Sequence, residues 1–354
     1  MSRKADFNID VKEALAKRAD NRCSFPQCQA STIGPSAEGP KSTSNSGDAA
    51  HIVAASSGPG ARRSNNGCLS PQQLKDIDNG IWMCANHARL VDRDEVTYTI
   101  PMLRLWREIR ELKAALRQTL GKEIEFGPDR FAKLPLAEDK ITLTYIGSEN
   151  RIIGEAIRNS CVYEIWGDDL GHAIRDLSIE LVRNAFQHGH ATNFSLSIEA
   201  KRIVLRDNGR PFYYQDILNQ KKKAGGAAAM QHLLDEHSSH VLLASMCQVG
   251  GNELIIALIH QVADIPEVTT CFYRFTEQEI RAHTLSIPSL SHCDRTYLLV
   301  PDYFTYSDSF NLAGFLTRSQ FDPNKYIIVA QGLSEGVIDH CRKILPGFQI
   351  MTLR

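Results

Sequence analysis

Apolar residues recur in regular patterns along the chain, and the period of each pattern predicts an element. Leu177, Leu181 and Ala185 fall at helical spacing, while the steps from Glu180 to Asn184 to His188 put three polar side chains on another face of that helix. Residues 193–199 then alternate apolar and polar at period two, and 203–209 close on Asp207-Asn-Gly209. The order is helix, hairpin, then a loop carrying an acid and a glycine. Residues 8–20 read as a helix, 31–47, rich in Ser, Gly and Pro, as a loop, and 101–120 as a long helix behind Pro101. Periodicity fades between 121 and 138, around Gly127-Pro128 and Pro135, which predicts a linker. Beyond 264, short apolar runs at 297–300, 326–330 and 348–352 alternate with helix-like stretches at 312–316 and 335–345, the pattern of a small parallel α/β unit. No internal repeat is visible.

Chemistry enters first through cysteine and histidine spacing. Cys23-Ser-Phe-Pro-Gln-Cys28 places a thiolate pair on a tight turn, and Cys84-Ala-Asn-His87 supplies a second pair. Together they offer four soft or borderline ligands, the number that a closed tetrahedral zinc site requires. His51, in Gly-Asp-Ala-Ala-His51-Ile, is left over for chemistry.

These residues, with Asn79-Gly-Ile-Trp-Met-Cys84 and His87-Ala-Arg-Leu-Val-Asp92, resemble the HNH endonucleases over roughly residues 10–110. The resemblance implies a ββα-metal core in which Cys23, Cys28, Cys84 and His87 hold zinc, His87 standing where many members have a second cysteine. It makes His51 the general base that deprotonates water, with Mg²⁺ or Mn²⁺ polarising the scissile phosphate of DNA. Asn79 falls at the middle Asn, offering a carbonyl oxygen to that metal or fixing the loop that bears the base. Two positions depart from the family: Ala50 stands where an acid often precedes the base, and Ala88 replaces the last histidine. A hard cation then needs an oxygen from Asp48, Asp78 or Asp92.

The middle of the chain, about 165–260, resembles the GHKL ATPases, the group of histidine-kinase ATP-binding domains, gyrase, Hsp90 and MutL. The fragments that carry the likeness are Glu180-Leu-Val-Arg-Asn184-Ala-Phe-Gln-His188-Gly189, Asp207-Asn-Gly209, Ala224-Gly225-Gly226 and Val249-Gly250-Gly251-Asn252-Glu253. By resemblance Asn184 holds Mg²⁺ against the phosphates of ATP, Glu180 orients or activates the attacking water, and Asp207 accepts the adenine amino proton. His188 lies on the same helix face, and Gly209 lets the backbone pass close to the base. Gly225 and Gly226 look like the glycines of a lid ahead of a helix whose amides face phosphate. Arg210-Pro211 departs from the family, which often has another glycine there.

Composition narrows the rest. At 354 residues with net charge −1, 23% charged and 43% hydrophobic, the chain has room for two or three domains and lacks the global basicity of a nucleic-acid coat. Affinity for DNA must then come from local patches: Arg62-Arg63, the helix bearing Arg104, Arg107, Arg110, Lys113 and Arg117 interleaved with Glu108 and Glu111, or Lys221–Lys223 beside the lid. Each of these is also readable as a solvated face. Cys161, Cys247, Cys271, Cys293 and Cys341 are scattered in apolar contexts and Met1-Ser-Arg-Lys is polar, which together predict a reducing, cytoplasmic setting. No apolar run reaches the length of a membrane span.

The expectation is therefore a multidomain α+β protein: a zinc-stapled ββα-metal HNH domain at 1–120, a linker at 121–140, a GHKL (Bergerat) α/β sandwich at 141–263 and a small α/β unit at 264–354. The function this implies is a metal-dependent DNA endonuclease regulated by ATP, resembling bacterial anti-phage effectors, with a homo-oligomer or a defence-system protein as further partners. The alternative is an ATP-dependent DNA-binding or signalling protein whose zinc domain does not cut.

Overall fold

The structure, a computed structural model, describes residues 6–56, 61–122, 131, 134–212, 225–248, 250–282 and 284–353, with only the backbone of Cys247 and Gln248. Lys221–Lys223, Ala224, Gly127-Pro128 and Val249, all read above, lie outside the described residues. The chain divides into two units, Met1–Phe131 with Arg158–Ile165, and Ala132–Ile157 with Trp166–Arg354.

In the first unit, α1 (Ile9–Arg18) precedes a small hairpin, β1 (Ile33–Pro35) with β2 (Thr43–Asn45), inside the stretch expected to be loop. Its residues are mostly exposed, so no alternation of apolar positions announces it. The central pair is β3 (Gly47–His51) antiparallel to β4 (Gly80–Cys84), with His51 opposite Gly80 and Gly47 opposite Cys84, and α2 (Ala85–Val91) follows β4 at once. Leu15, Ala16 and Ala19 of α1 and the residue after it pack on Trp82, whose indole N–H donates to Thr32 Oγ1 at 2.9 Å. Close approach explains both glycines of this pair: a Cβ on Gly47 would overlap the Trp82 ring, and one on Gly80 would overlap Leu15.

The long helix α3 (Ile100–Leu120) is capped by the Thr99 hydroxyl and stopped by Gly121 at φ +64°. Its basic residues correct the expected phosphate-tracking face. Arg107 donates to Glu111 and to the Ile77 carbonyl, both at 2.8 Å; Arg110 is buried; Lys113 lies 3.7 Å from Glu164; Arg117 pairs with Asp20. Only Arg104 of the five is exposed. Lys113 and Arg117, about 40° apart on the helix, turn inward onto acids remote in sequence, and Arg104 lies on the opposite side. The basic residue Arg63 is likewise buried, while Arg62 lies 3.9 Å from Glu95.

Helix α4 (Glu149–Asn159) begins in the second unit and ends in the first, followed there by α5 (Val162–Trp166) as far as Ile165. Within the first unit the Trp106 indole N–H donates to the Asn159 carbonyl at 2.7 Å and the Gln27 amide to Glu164 at 3.3 Å.

The second unit is built on a five-stranded antiparallel sheet in the order β5 (Asp139–Leu143), β6 (Phe194–Glu199), β7 (Arg202–Asp207), β9 (Gly251–Leu258), β8 (Val241–Gln248). Helices α6 (Asp168–Gln187) and α7 (Gly225–His237) pack side by side, and the short α8 (Ile265–Val268) follows the sheet. A parallel four-stranded sheet, β10 (Phe272–Arg274), β11 (Thr296–Leu299), β12 (Tyr326–Gln331) and β13 (Gln349–Leu353), runs in sequence order. One of its faces packs on the first sheet through Tyr297, Leu299, Ile327, Val329 and Met351 against Leu242, Ala244, Ile255 and Ala257. The buried Tyr297 hydroxyl both donates to the carbonyl and accepts from the amide of Leu243, each at 2.8 Å. Its other face is covered by α9 (Glu277–Arg281), α10 (Tyr306–Arg318) and α11 (Glu335–Ile344), with Ile280, Leu312, Leu316 and Val337 against Leu298 and Ile328. Strands buried on both faces read as continuous apolar runs, which is why 297–300 and 326–330 stood out. The two sheets share a core and one unit, so no domain boundary separates them near 264.

The protein is mixed α+β, with four sheets among the described residues. Two of the cysteines expected to be separate thiols, Cys271 and Cys293, form a disulfide, whereas Cys161 and Cys341 are buried thiols and Cys68, overlooked in the sequence, is exposed. No helix among the described residues is long and apolar enough to cross a membrane.

Candidate functional sites

Three elements of the first unit converge on one metal-binding cluster. Cys23 and Cys28 sit on the turn after α1, which the Cys28 amide closes onto the Phe25 carbonyl at 3.0 Å; Cys84 ends β4; His87 lies in the first turn of α2. Their ligand atoms all lie within 4.8 Å of one another, with His87 Nδ1 at 3.4 Å from Cys23 Sγ and 3.2 Å from Cys84 Sγ. The imidazole stacks on Phe25 at 3.9 Å, which fixes its plane. Burial pushes the Cys23 thiol up and the His87 imidazole down, which favours the neutral ring and means that a cation must displace a proton from sulfur to bind. Three sulfurs and one nitrogen at these separations fit a metal ion such as zinc.

His51 ends β3, with its ring stacked on Phe7 at 3.9 Å and 8°. Asn79 is buried and fully engaged: Oδ1 accepts from the Val53 amide at 2.8 Å, and Nδ2 donates to the carbonyls of Val53 at 2.9 Å and Leu74 at 3.1 Å. Of its two expected roles, the geometry shows the one that fixes the loop after His51. Arg63 completes that support, donating to the carbonyls of Ile52, His51 and Val91 and to Asp92 at 3.4 Å. Asp92 is exposed on this pair, Asp78 lies 3.5 Å from Arg107, and Asp48 is exposed. Ala50 and Ala88 are both buried. Among the described residues, groups of three or more metal-binding side chains occur only at the Cys23 cluster and at Cys271, His292 and Cys293. No group of three such side chains includes His51 among the described residues.

A second site gathers on the five-stranded sheet. Asp207 ends β7, accepting from the Gly209 amide at 2.8 Å and from Asn252 Nδ2 at 3.0 Å. Burial pushes its carboxyl above the ordinary range, against the lowering effect of those donors. Asn252 also accepts from the Phe212 amide at 2.9 Å and donates to the Arg210 carbonyl at 3.0 Å, so the Arg210-Pro211 segment is tied to β9. Gly251, at φ +146°, runs against the Asp207 carbonyl, where a Cβ would overlap it. Around Asp207 lie Leu181, Phe194, Leu205, Phe212 and Met230, enclosing a cavity of about 20 Å³. Room for little more than one water means that a flat aromatic ring enters only if Phe212 or α7 shifts.

Glu180 and Asn184 face the first turn of α7. A Cβ on Gly225 would overlap Glu180 Oε2 and one on Gly226 would overlap Asn184 Nδ2, so a larger residue at either position would push those side chains aside. The structure thus brings Glu180, Asn184, Gly225 and Gly226 together, and Asp207 and Gly209 with each other. His188 is not part of the group: it caps the end of α6, exposed, with no side-chain hydrogen bond among the described residues. The sequence reading gave no role to Asn252 or to Arg183, which donates from Nη1 to Glu180 at 2.8 Å, from Nε to Glu149 at 3.0 Å and from Nη2 to Asn150 at 2.9 Å. Asn252 was marked only by its place after Gly250-Gly251, and Arg183 by its place beside Asn184.

No protein-family model matches the chain, and no curated protein matches it.

Proposed function

We propose that the chain couples an adenine-nucleotide pocket of the GHKL kind to a zinc-stapled, HNH-like ββα unit that acts on DNA. The observation that carries the reading is the convergence of Glu180 and Asn184 on one helix with Gly225 and Gly226 of the next, the same two helices lining, through Leu181 and Met230, a small cavity that holds the half-buried acid Asp207. The donor types support a nucleotide: a carboxylate acceptor in apolar surroundings for the adenine amino group, an amide side chain for a phosphate-bound Mg²⁺, and the amides of α7 for phosphate oxygens. Bound Mg²⁺ supplies charge neutralisation at the phosphates. Asp207 orients the base, Asn252 holds Asp207, and Glu180 stands near the phosphate end, where it positions a water if ATP is hydrolysed. Zinc at Cys23, Cys28, Cys84 and His87 supplies folding energy to the ββα unit rather than chemistry.

On this proposal the first unit is a metal-dependent DNA endonuclease in which His51 is the base, held by the loop that Asn79 and Arg63 secure. The alternative, binding to DNA without cutting, draws on specific observations: Ala50 and Ala88 are buried, and among the described residues no group of three metal-binding side chains includes His51. No hydrolytic step is routed through a catalytic metal here for that reason. Phosphate contacts on either reading fall to Lys75, Arg89, Arg93 and Arg104, which are exposed, since the rest of the basic helix is spent internally. Defence against phage is the physiological role, by analogy with the effectors that the domain pairing resembles. Nicking of supercoiled plasmid by the full chain with Mg²⁺ or Mn²⁺, each with and without ATP, tests the reading. Cleavage lost in His51→Ala supports the endonuclease; shifted but uncut plasmid supports the binding module.

A further inference from the structure

We propose that Arg183 reads the terminal phosphate of the bound nucleotide and reports it to helix α4. The inference rests on the reading of this pocket as an adenine-nucleotide site. Arg183 sits on α6 between Glu180 and Asn184, the two side chains that approach Gly225 and Gly226 of α7. Its guanidinium spans three acceptors at once: Glu180 of its own helix, and Glu149 and Asn150, the first two residues of α4. The side chain is 35% exposed, so an incoming anion can reach it, whereas the Glu149 side chain is 9% exposed.

Charge decides what happens on binding. One guanidinium faces two carboxylates, Glu149 and Glu180, and hydrogen bonds from Gly147 and then from Arg183 hold the Glu149 carboxyl below its ordinary range. A polyphosphate placed beside this triad adds further negative charge, and the fork of an arginine matches phosphate oxygens in the same bidentate geometry that it uses for carboxylates. The terminal phosphate of ATP competes for Arg183; ADP lacks that group. When Arg183 turns to phosphate, Glu149 and Asn150 lose their shared donor at the start of α4. The last residues of α4 belong to the first unit, where Arg158 lies 5.2 Å over the Phe25 ring, and Phe25 stacks on His87. The nucleotide state thus acts on the start of α4, which is a differential contact of the kind that coupling requires.

Calorimetry on the full chain, with Mg²⁺ and either ADP or a non-hydrolysable ATP analogue, tests this. Arg183→Gln lowers affinity for the analogue by roughly 10-fold or more while ADP affinity stays within about twofold, the size expected for one lost charge-assisted bond. Arg183→Lys, which keeps charge without the fork, falls between. Hydrogen exchange of amides in 149–157 rises when the analogue binds wild type and does not respond in Arg183→Gln. Glu149→Gln, which removes the competing carboxylate, strengthens analogue binding by about threefold and leaves ADP unchanged, and it keeps the idea falsifiable should Arg183→Gln not fold. Equal losses for both nucleotides, or unaltered exchange in α4, overturn the proposal and leave the pocket standing. Failure of wild type to bind either nucleotide removes the pocket and the proposal together.

Discussion

Replacing Asn79 separates the two roles that its position in an HNH-like unit allows. The side chain makes three hydrogen bonds, one accepted from the Val53 amide and two donated to the Val53 and Leu74 carbonyls, in a place where Asn79 and Val53 are both 4% exposed. Asn79→Ala leaves the Val53 amide and carbonyl buried without these partners. At about 1–3 kcal/mol for each orphaned group, the expected loss is roughly 3 kcal/mol, a large part of the 5–15 kcal/mol that typically holds a domain together. Asn79→Asp discriminates. A carboxylate improves a site for a hard cation, but it cannot donate to two carbonyls and sets a charge against them. Support of the loop predicts that Asn79→Asp is destabilised as much as Asn79→Ala, with the loss read by urea unfolding and by the fluorescence of Trp82 and Trp106, which lie in the same unit as Asn79. A variant Asn79→Asp with wild-type stability and tighter Mg²⁺ or Mn²⁺ binding would refute the reasoning and return Asn79 to the metal.

His51→Ala is expected to abolish plasmid nicking with zinc content and folding unchanged, because His51 is outside the ligand cluster; persistent cutting by the folded variant rules it out as base. Cys23→Ser and Cys84→Ser are expected to lose the metal and to yield unfolded or insoluble protein, checked by metal analysis and circular dichroism, since ligation energy is folding energy; one full equivalent of zinc in either variant counts against the cluster. Asp207→Asn is expected to lose adenine-nucleotide binding by calorimetry and yet to melt higher than wild type at neutral pH. Its carboxyl is raised by burial from 3.8, so the folded chain holds the proton that the unfolded chain releases, and wild-type stability falls as pH climbs through the window above 3.8. The advantage of Asn should vanish below that window; a variant less stable than wild type at neutral pH contradicts it.

How much was legible in the sequence depends on the range over which each signal acts. The ligand set from Cys23 to His87 and the helix face shared by Glu180 and Asn184 come from local spacing, and the structure brings both groups together. The parallel strands of the second sheet were legible as apolar runs for the same reason. What escaped was long-range. That Lys113 and Arg117 share a face follows from helical geometry, but the direction of that face depends on Glu164 and Asp20, and only the fold brings these two near. The boundary near 264 failed because the contact that erases it is sheet on sheet, Tyr297 against Leu243. The passage of 158–165 into the first unit is of the same kind, fixed by Trp106 and Gln27.

The same limit explains why Arg183 went unread beside two residues that were marked. Periodicity places Glu180, Asn184 and His188 on one line of a helix, yet the structure keeps the first two against α7 and leaves His188 exposed at the helix end. Arg183, one step off that line, adds two acceptors to Glu180 of its own helix because α4 starts beside it with Glu149 and Asn150. A side chain's place on its own element is a local property; its partner is supplied by a second element. For Arg183 that second element is α4, whose first two residues no periodicity in α6 could announce.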